Sequence, residues 1–384
     1  MNDSLKAHAS NAEKELSLDE KAKRAPEEFF GLSAGRSEGV KRQPGLFITA
    51  LQLVDLKHYE VKGLALPETI EATETYLGYK SGAGKGLEPA DFQTLFTLIR
   101  EHALRWAPIR QRMQTVGSQL NIFSGKVHSK GRTAEELYTD LPDDKIDEAD
   151  ARIEFIKSLD ELWNDIKRQA RAAAELTKDL KQFSSDLSVK VMPGIQRQIK
   201  MIDDSELPDE VKNLRADLDR LSEEIEQKNK EYDKQVKTSV ATSLLGPLGL
   251  AYSIYTGVDA ENTRKKRSDL RAQQDKTTER LKNKDKVLGG LQHVRNSLDD
   301  LKMVAKDADT ATENLVGVWN ILEEYVHASL EDAEKTQDET FQGETLRQLI
   351  NKFRDTVSPW ALIKNDTHLL LEVFSEADRI YREQ

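Results

Sequence analysis

Apolar residues recur along much of this chain at alternating steps of three and four, the spacing that places them on one face of an α-helix. The longest run is Ile156, Leu159, Trp163, Ile166, Ala170, Ala173, Thr177, Leu180, Ser184, Leu187 and Val191. This is a heptad seam, the signature of helices that pack side by side. Pro193 and Gly194 predict a kink at its end, and Asp203 to Pro208 predict a break, with Pro208 placed to open the next helix. A second seam runs through Val211, Leu214, Leu218, Leu221, Ile225 and Tyr232. It carries two i,i+4 ion pairs in the favourable order, Glu224–Lys228 and Glu226–Lys230. A third seam, Leu291, Val294, Leu298, Leu301, Ala305, Ala308, Thr312, Leu315, Trp319, Leu322 and Val326, predicts one long returning helix over 260–330. Upstream, shorter helices are expected over 46–59, 67–76 and 91–120, the last interrupted near Pro108. Residues 78–88 and 124–146 are expected to be loops, and 344–356 and 360–382 two closing helices. Residues 1–45 are polar, with Gly31, Gly35, Gly39, Pro44 and Gly45 in their latter half, and read as a flexible arm.

One segment breaks the pattern. Thr238 to Val258, TSVATSLLGPLGLAYSIYTGV, is 21 residues long and contains no charge. It stands between the second and third seams, at the turn between two long helices and so at the far end of a rod. Val240, Leu244, Leu245, Leu248, Leu250, Ile254 and Val258 are its aliphatic residues, with Tyr252 and Tyr255 beside them. Gly246-Pro247-Leu248-Gly249 at its centre is a turn signal, so the segment reads as a hairpin of two limbs. Each limb has about ten residues, about 15 Å as helix, against a hydrocarbon core of about 30 Å. Neither limb spans a bilayer alone. The hairpin dips into one leaflet, or goes deeper by drawing in amphipathic flanks, or opens into one straight helix; the first two suit the turn better. Burial of seven large aliphatics gains on the order of 10–20 kcal/mol, whether the shelter is lipid or protein. A position at the end of a rod, where little protein core is within reach, favours lipid. Lys234 and Lys237 before the segment, and Arg264, Lys265, Lys266 and Arg267 after it, are placed to meet anionic headgroups at about 1 kcal/mol each. Tyr252 and Tyr255 are candidate interface anchors.

Composition sharpens this picture. Charged residues make up 33% of the 384 and hydrophobic residues 38%, with only 20 glycines and 10 prolines. Such a chain suits long amphipathic helices with large polar faces, and the fold class is all-α: an elongated rod of antiparallel coiled-coil helices with an apolar hairpin tip and shorter helices packed along it. The expected division is a polar arm over 1–45, a helical-bundle body over 46–202 and 260–384, a coiled-coil stalk over 203–237 and 260–290, and the apolar hairpin over 238–258. A net charge of −11 argues against nucleic acid as the main partner. Cysteine is absent, which excludes disulfides and thiolate chemistry. The first residues, MNDSLKAHASNAEKELSLDEK, have no apolar core of the kind a Sec signal needs, so release by another route is expected.

Catalytic signals are missing. Ser81-Gly82-Ala83-Gly84-Lys85-Gly86 invites a phosphate-loop reading, but Tyr79 stands where the first glycine belongs and Gly86 where Ser or Thr is required. The seven histidines are scattered, with no HExxH. The acidic cluster from Asp140 to Asp150 lacks the glycine and ligand spacing of a calcium loop, and no GxSxG occurs. No catalytic, cofactor or metal residues are expected, and an enzyme is not.

A charged, almost wholly helical chain with an apolar hairpin between long helices resembles the α-helical pore-forming toxins of the cytolysin A and haemolysin BL type. Within that group it is most similar to the A subunit of the binary xenorhabdolysin family. The resemblance covers about residues 45–384 and rests on length, the missing cysteine, the polar N-terminal arm, the helix order and the hairpin TSLLGPLGLAYSIYTG at 242–257. It implies a bacterial protein, made soluble, that acts at a host-cell membrane. It further implies a second, B-type subunit and an oligomeric ring that lyses the target cell, with this chain contacting lipid through its tip. A cytosolic coiled-coil scaffold with a protein-docking tip is the alternative, since the seams fit it equally well.

Overall fold

A computed structural model describes residues 16–34, 44–82, 84–140, 148–203, 208–243, 258–336 and 344–383, with the backbone alone over 232–243, 258–265, 297–303, 305–307 and 364–366 and at 32, 140, 148, 203, 294, 309, 310, 361 and 362. Among them eleven α-helices follow one another: α1 Leu18–Ser33, α2 Ala50–Leu64, α3 Ile70–Leu77, α4 Pro89–Leu104, α5 Trp106–Asp140, α6 Glu148–Asp186, α7 Met192–Asp203, α8 Asp209–Ser243, α9 Val258–Lys284, α10 Lys286–Lys335 and α11 Leu346–Glu383. A single π-turn, Leu187–Val191, joins α6 to α7.

Four long helices make the shaft. α6 runs antiparallel to α10: Arg152 on the first donates to the Thr336 hydroxyl at the end of the second (2.8 Å), Trp163 meets His327, and Lys181 pairs with Glu313. α5 runs antiparallel to both α6 and α11, through Lys126–Asp165 (2.6 Å), Arg110–Asp378 (2.8 Å) and Arg354–Glu135 (2.7 Å). The seam residues Leu159, Ile166, Ala173, Leu180, Leu187 and Val191 are buried as their spacing predicts. Leu162, Leu176 and Phe183 join them, because α6 packs between two neighbours rather than against one. At mid-shaft Phe123, Trp319 and Trp360 form one aromatic cluster, with centroids 4.7 to 5.9 Å apart. Burial of side chains this large dominates the stability of the core.

Three expectations fail here for one reason, that contacts distant in sequence override local signals. Residues 124–140 are helix, not loop: Val127 and Ala134 are buried, so one face of a stretch that reads as polar is a packed one. Residues 346–383 form one helix that passes through Pro359. Part of the N-terminal arm is also ordered, since α1 lays Ala22, Ala25, Phe29 and Phe30 into the core against α10 and α11. Pro26 sits inside α1 and brings no N–H for the carbonyl of Ala22. The Trp360 indole supplies one instead, donating to that carbonyl at 3.0 Å. A helix-breaking residue thus becomes the anchor point between α1 and α11. Pro108 and Pro193 behave more as expected. The break near Pro108 falls at Arg105, which leaves the proline in the first turn of α5. The kink at Pro193 takes the form of the π-turn, where the Met192 N–H reaches back to the Leu187 carbonyl.

The π-turn is held by a buried polar cluster. The His102 Nε2–H donates to the Phe183 carbonyl (2.9 Å), the Tyr59 hydroxyl donates to His102 Nδ1 (2.7 Å), and the imidazole stacks on the Phe183 ring at 4.2 Å. Arg105 pairs with Asp186 beside it. Burial lowers the pKa of His102, aided by the Arg105 charge and opposed by the hydrogen bond to Phe183. Hydrogen bonds from Lys190, Gln182 and Arg105 hold the Asp186 carboxyl well below the usual range.

The long returning helix expected over 260–330 is two helices. Asp285 breaks it with φ −140° and ψ 103°, and its carboxylate caps α10 by accepting from the Leu288 N–H at 2.9 Å. The chain reverses there.

A helical hairpin carrying the uncharged segment

Helices α8 and α9 form an antiparallel hairpin that leaves the shaft between α7 and α10. Three contacts set its register: Glu210–Lys284 at 3.2 Å, Ser222–Gln274 at 2.9 Å and Asn229–Arg267 at 3.4 Å. The seam residues Val211, Leu214, Leu218, Leu221 and Ile225 are all buried. Of the two expected ion pairs on α8, Glu226–Lys230 is present at 3.7 Å. Glu224 instead takes Arg220 (2.6 Å), and Lys228 takes Glu231 (2.6 Å).

Beyond Asn229, α8 continues for fourteen more residues to Ser243, about 21 Å of helix. Lys234, Lys237 and Val240 lie on that stretch, and Val258, Arg264 and Lys265 on the first two turns of α9. The paired helices thereby bracket residues 244–257 at the end of the hairpin. Leu244, Leu245, Gly246, Pro247, Leu248, Gly249, Leu250, Tyr252, Ile254 and Tyr255 fall outside the described residues. Of the basic run, Lys266 is exposed, while Arg267 is half-buried and donates to Asn229. It therefore helps hold the hairpin together as well as charging its surface. Among the described residues no helix is long and apolar enough to cross a membrane.

The root of the hairpin departs from a simple rod. On the shaft, α6 is antiparallel to α10. Arg215 of α8 donates to Gln292 of α10 at 2.9 Å, and Asp219 lies 3.9 Å from Arg295. Both pairs advance in the same direction, so α8 starts out parallel to α10. Helix α9 returns antiparallel to it, through Glu279–His293 (2.7 Å) and Thr278–Asn296 (3.1 Å). The hairpin therefore folds back over the first turns of α10 instead of prolonging the shaft. Burial and the Lys62 charge depress the pKa of His293, so at neutral pH its Nε2–H donates to the Glu279 carboxylate. Sequence periodicity misses this fold-back. Its signal is Asp285 three residues ahead of Leu288, the spacing of a helix N-cap, followed at once by Gly289-Gly290.

The glycine-rich loop lies close to the same root. Gln198 of α7 donates to the Gly86 carbonyl at 2.6 Å, and Lys286 lies over the ring of Tyr76. The backbone N–H groups of Gly82 and Gly84 converge on one carboxylate, that of Glu88, each at 3.1 Å. The anion this loop holds is the chain's own side chain.

The described fold is similar to that of solved subunits of α-pore-forming toxins. Soluble SmhA of the tripartite α-pore-forming toxin Smh from Serratia marcescens matches it with a TM-score of 0.51 at 12% sequence identity, over 86% of this chain and 96% of that one. YaxA from Yersinia enterocolitica matches with a TM-score of 0.47 at 23% identity, over 88% of this chain and 99% of its own. XaxA from Xenorhabdus nematophila gives 0.46 at 22%, over 88% and 100%. No family model and no curated protein matches the sequence.

Proposed function

We propose that this chain is a component of a pore-forming toxin, and that the uncharged segment at the end of the α8–α9 hairpin is its membrane-contact site. The observation that carries the reading is the hairpin itself. Two helices of 35 and 27 residues, with polar outer faces, pair only to carry an uncharged stretch to their far end. A lipid surface offers apolar shelter to an uncharged stretch of this kind. Lys234, Lys237, Arg264, Lys265, Lys266 and Arg267 flank it where anionic headgroups lie. The limbs between Ser243 and Val258 are too short to span a bilayer singly, so the chain contacts or anchors in one leaflet while a second subunit contributes to the oligomeric pore. Support for that partner comes from the toxins sharing this architecture: Smh is tripartite, and XaxAB and YaxAB are pore complexes.

The test is flotation with dye-loaded vesicles, scoring binding and leakage in the same tubes. Binding without leakage fits a subunit that awaits its partner; binding with leakage fits a self-sufficient pore former. Leu245→Asp with Leu250→Asp removes binding and lysis while leaving the helix content unchanged. Full lysis by that variant overturns the assignment of the site.

A further inference from the structure

Two of the seven large apolar side chains exposed among the described residues, Leu51 and Leu369, border a single groove. It lies where the first turn of α2 runs beside the C-terminal part of α11, and it encloses about 660 Å³. Its floor is aliphatic, with Ala50 and Leu51 on one wall and Leu369, Val373 and Ile380 on the other. The three α11 residues stand four and then seven positions apart, so they share one face of that helix. From Leu369 to Ile380 the helix advances about 16 Å, or about three turns. The rim is acidic. Glu372 and Glu376 line the groove, and Glu383 follows within a turn of Ile380. Arg379 is the cation of the lining, and each of its nitrogens is already engaged: Nε and Nη2 donate to Glu376 at 2.9 and 2.6 Å, and Nη1 donates to Glu383 at 2.7 Å. The His368 imidazole sits beside Glu372 at 3.2 Å. Three carboxylates thus face one guanidinium along an apolar trough.

We propose that this groove is a docking surface for an amphipathic helix of a different protein, one whose aliphatic stripe of about three turns is flanked by Lys or Arg. The inference is independent of the membrane-contact reading above. Both walls are α-helices and present no strand edge, so an extended peptide gains no main-chain hydrogen bonds here, whereas a helix fills the trough with side chains alone. Charge selects among the occupants. Cationic flanks meet the glutamates of the rim, which steers the encounter and fixes the register. A second copy packed symmetrically on the same groove would set like carboxylates against each other. An anionic lipid surface would meet the same repulsion.

The probe is a fluorescein-labelled helical peptide with Leu at i, i+3, i+4 and i+7 and Lys on its flanks, titrated against the full chain by fluorescence anisotropy. A control peptide carries Glu in place of Lys. The Lys peptide is expected to bind at least about ten-fold more tightly than the Glu peptide, with a gap that narrows as salt is added. Leu369→Asp is expected to weaken the Lys peptide by about ten-fold. Leu369 is half exposed, so the change leaves no core cavity. Its added carboxylate would strengthen mere electrostatic adsorption, so a loss of binding reports the apolar floor. Leu51→Asp, on the opposite wall, repeats the test should Leu369→Asp lose helix content. No binding by wild type, equal binding of the two peptides, or unchanged binding by a folded groove variant overturns the proposal. Sedimentation and vesicle flotation decide against the rival occupants. A wild-type dimer that Leu369→Asp converts to monomer assigns the groove to a second copy, and vesicle binding lost in that variant assigns it to lipid; either result overturns the proposed partner. A monomer whose flotation is unchanged by Leu369→Asp supports it.

Discussion

Gly289 offers the sharpest quantitative test of the fold-back. A methyl group on its α-carbon would lie 2.3 Å from the Cα of Lys282 and 2.5 Å from its backbone nitrogen. Those are main-chain atoms of α9 and cannot swing aside, so Gly289→Ala must push the two helices apart. Overpacking of this kind costs about 1–3 kcal/mol. Replacing a glycine in the first turn of α10 returns at most about 1 kcal/mol of helix propensity, leaving a net loss of about 0–2 kcal/mol or somewhat more. Gly290→Ala is the internal control. Its methyl would meet the Tyr76 hydroxyl at 2.4 Å, the far end of a side chain that can rotate away, so its balance lies near zero or slightly stabilising. The first variant should therefore fall about 1–3 kcal/mol below the second. Hydrogen exchange of peptides covering 278–296 reads this locally, because opening of a single contact appears there before global unfolding. The expected result is faster exchange in Gly289→Ala than in Gly290→Ala, by about 5- to 150-fold. Equal exchange in the two variants, or slower exchange in Gly289→Ala, would refute the claim that glycine is needed for close passage of α9.

Other expectations concern the shaft. Trp360→Phe leaves the Ala22 carbonyl buried with neither the indole nor a Pro26 N–H, and urea unfolding should show a loss of about 2–4 kcal/mol. Adding Pro26→Ala restores an N–H to that carbonyl and should recover about 1 kcal/mol; a strictly additive cycle would contradict the anchor. His102 is held neutral by burial, so its folded pKa lies below the unfolded value of about 6.5. As pH falls below that value the unfolded chain takes a proton that the folded chain resists. Stability therefore declines with acid until the folded pKa is passed, and is independent of His102 above neutrality. The urea midpoint of wild type should drop more steeply between pH 7 and 5 than that of His102→Gln, and the reverse order would rule out this role. Lys130→Ala removes only a surface pair with Glu161 and should change stability by less than about 1 kcal/mol; a larger loss in the same unfolding assay would show that the pair is coupled to the core.

Much of this molecule is written in the spacing of its apolar residues. The seams at 156–191 and 211–225 give the all-α class, the long helices and the faces they bury, because a 3.6-residue period has one structural solution. The uncharged segment at 238–258 and the basic residues around it are equally plain, since absence of charge over 21 residues needs no tertiary context to be seen. Periodicity is blind to where a helix stops when the pattern continues on the other side. That is why α9 and α10 read as one helix: Asp285 occupies a single position, and Leu281, Leu288 and Leu291 keep the beat across it. It is equally blind to a polar face that is buried. Arg215, Gln274, Thr278, Gln292 and Asn296 look solvated in sequence and are enclosed only because three helices converge on them. Helix α1 and residues 124–140 were hidden in the same way, ordered by partners more than two hundred residues away. Local chemistry thus determined the helices and the apolar tip. Only the packing of distant segments decided the direction of the hairpin, because that direction depends on hydrogen bonds and close backbone passages that exist solely after the helices have met.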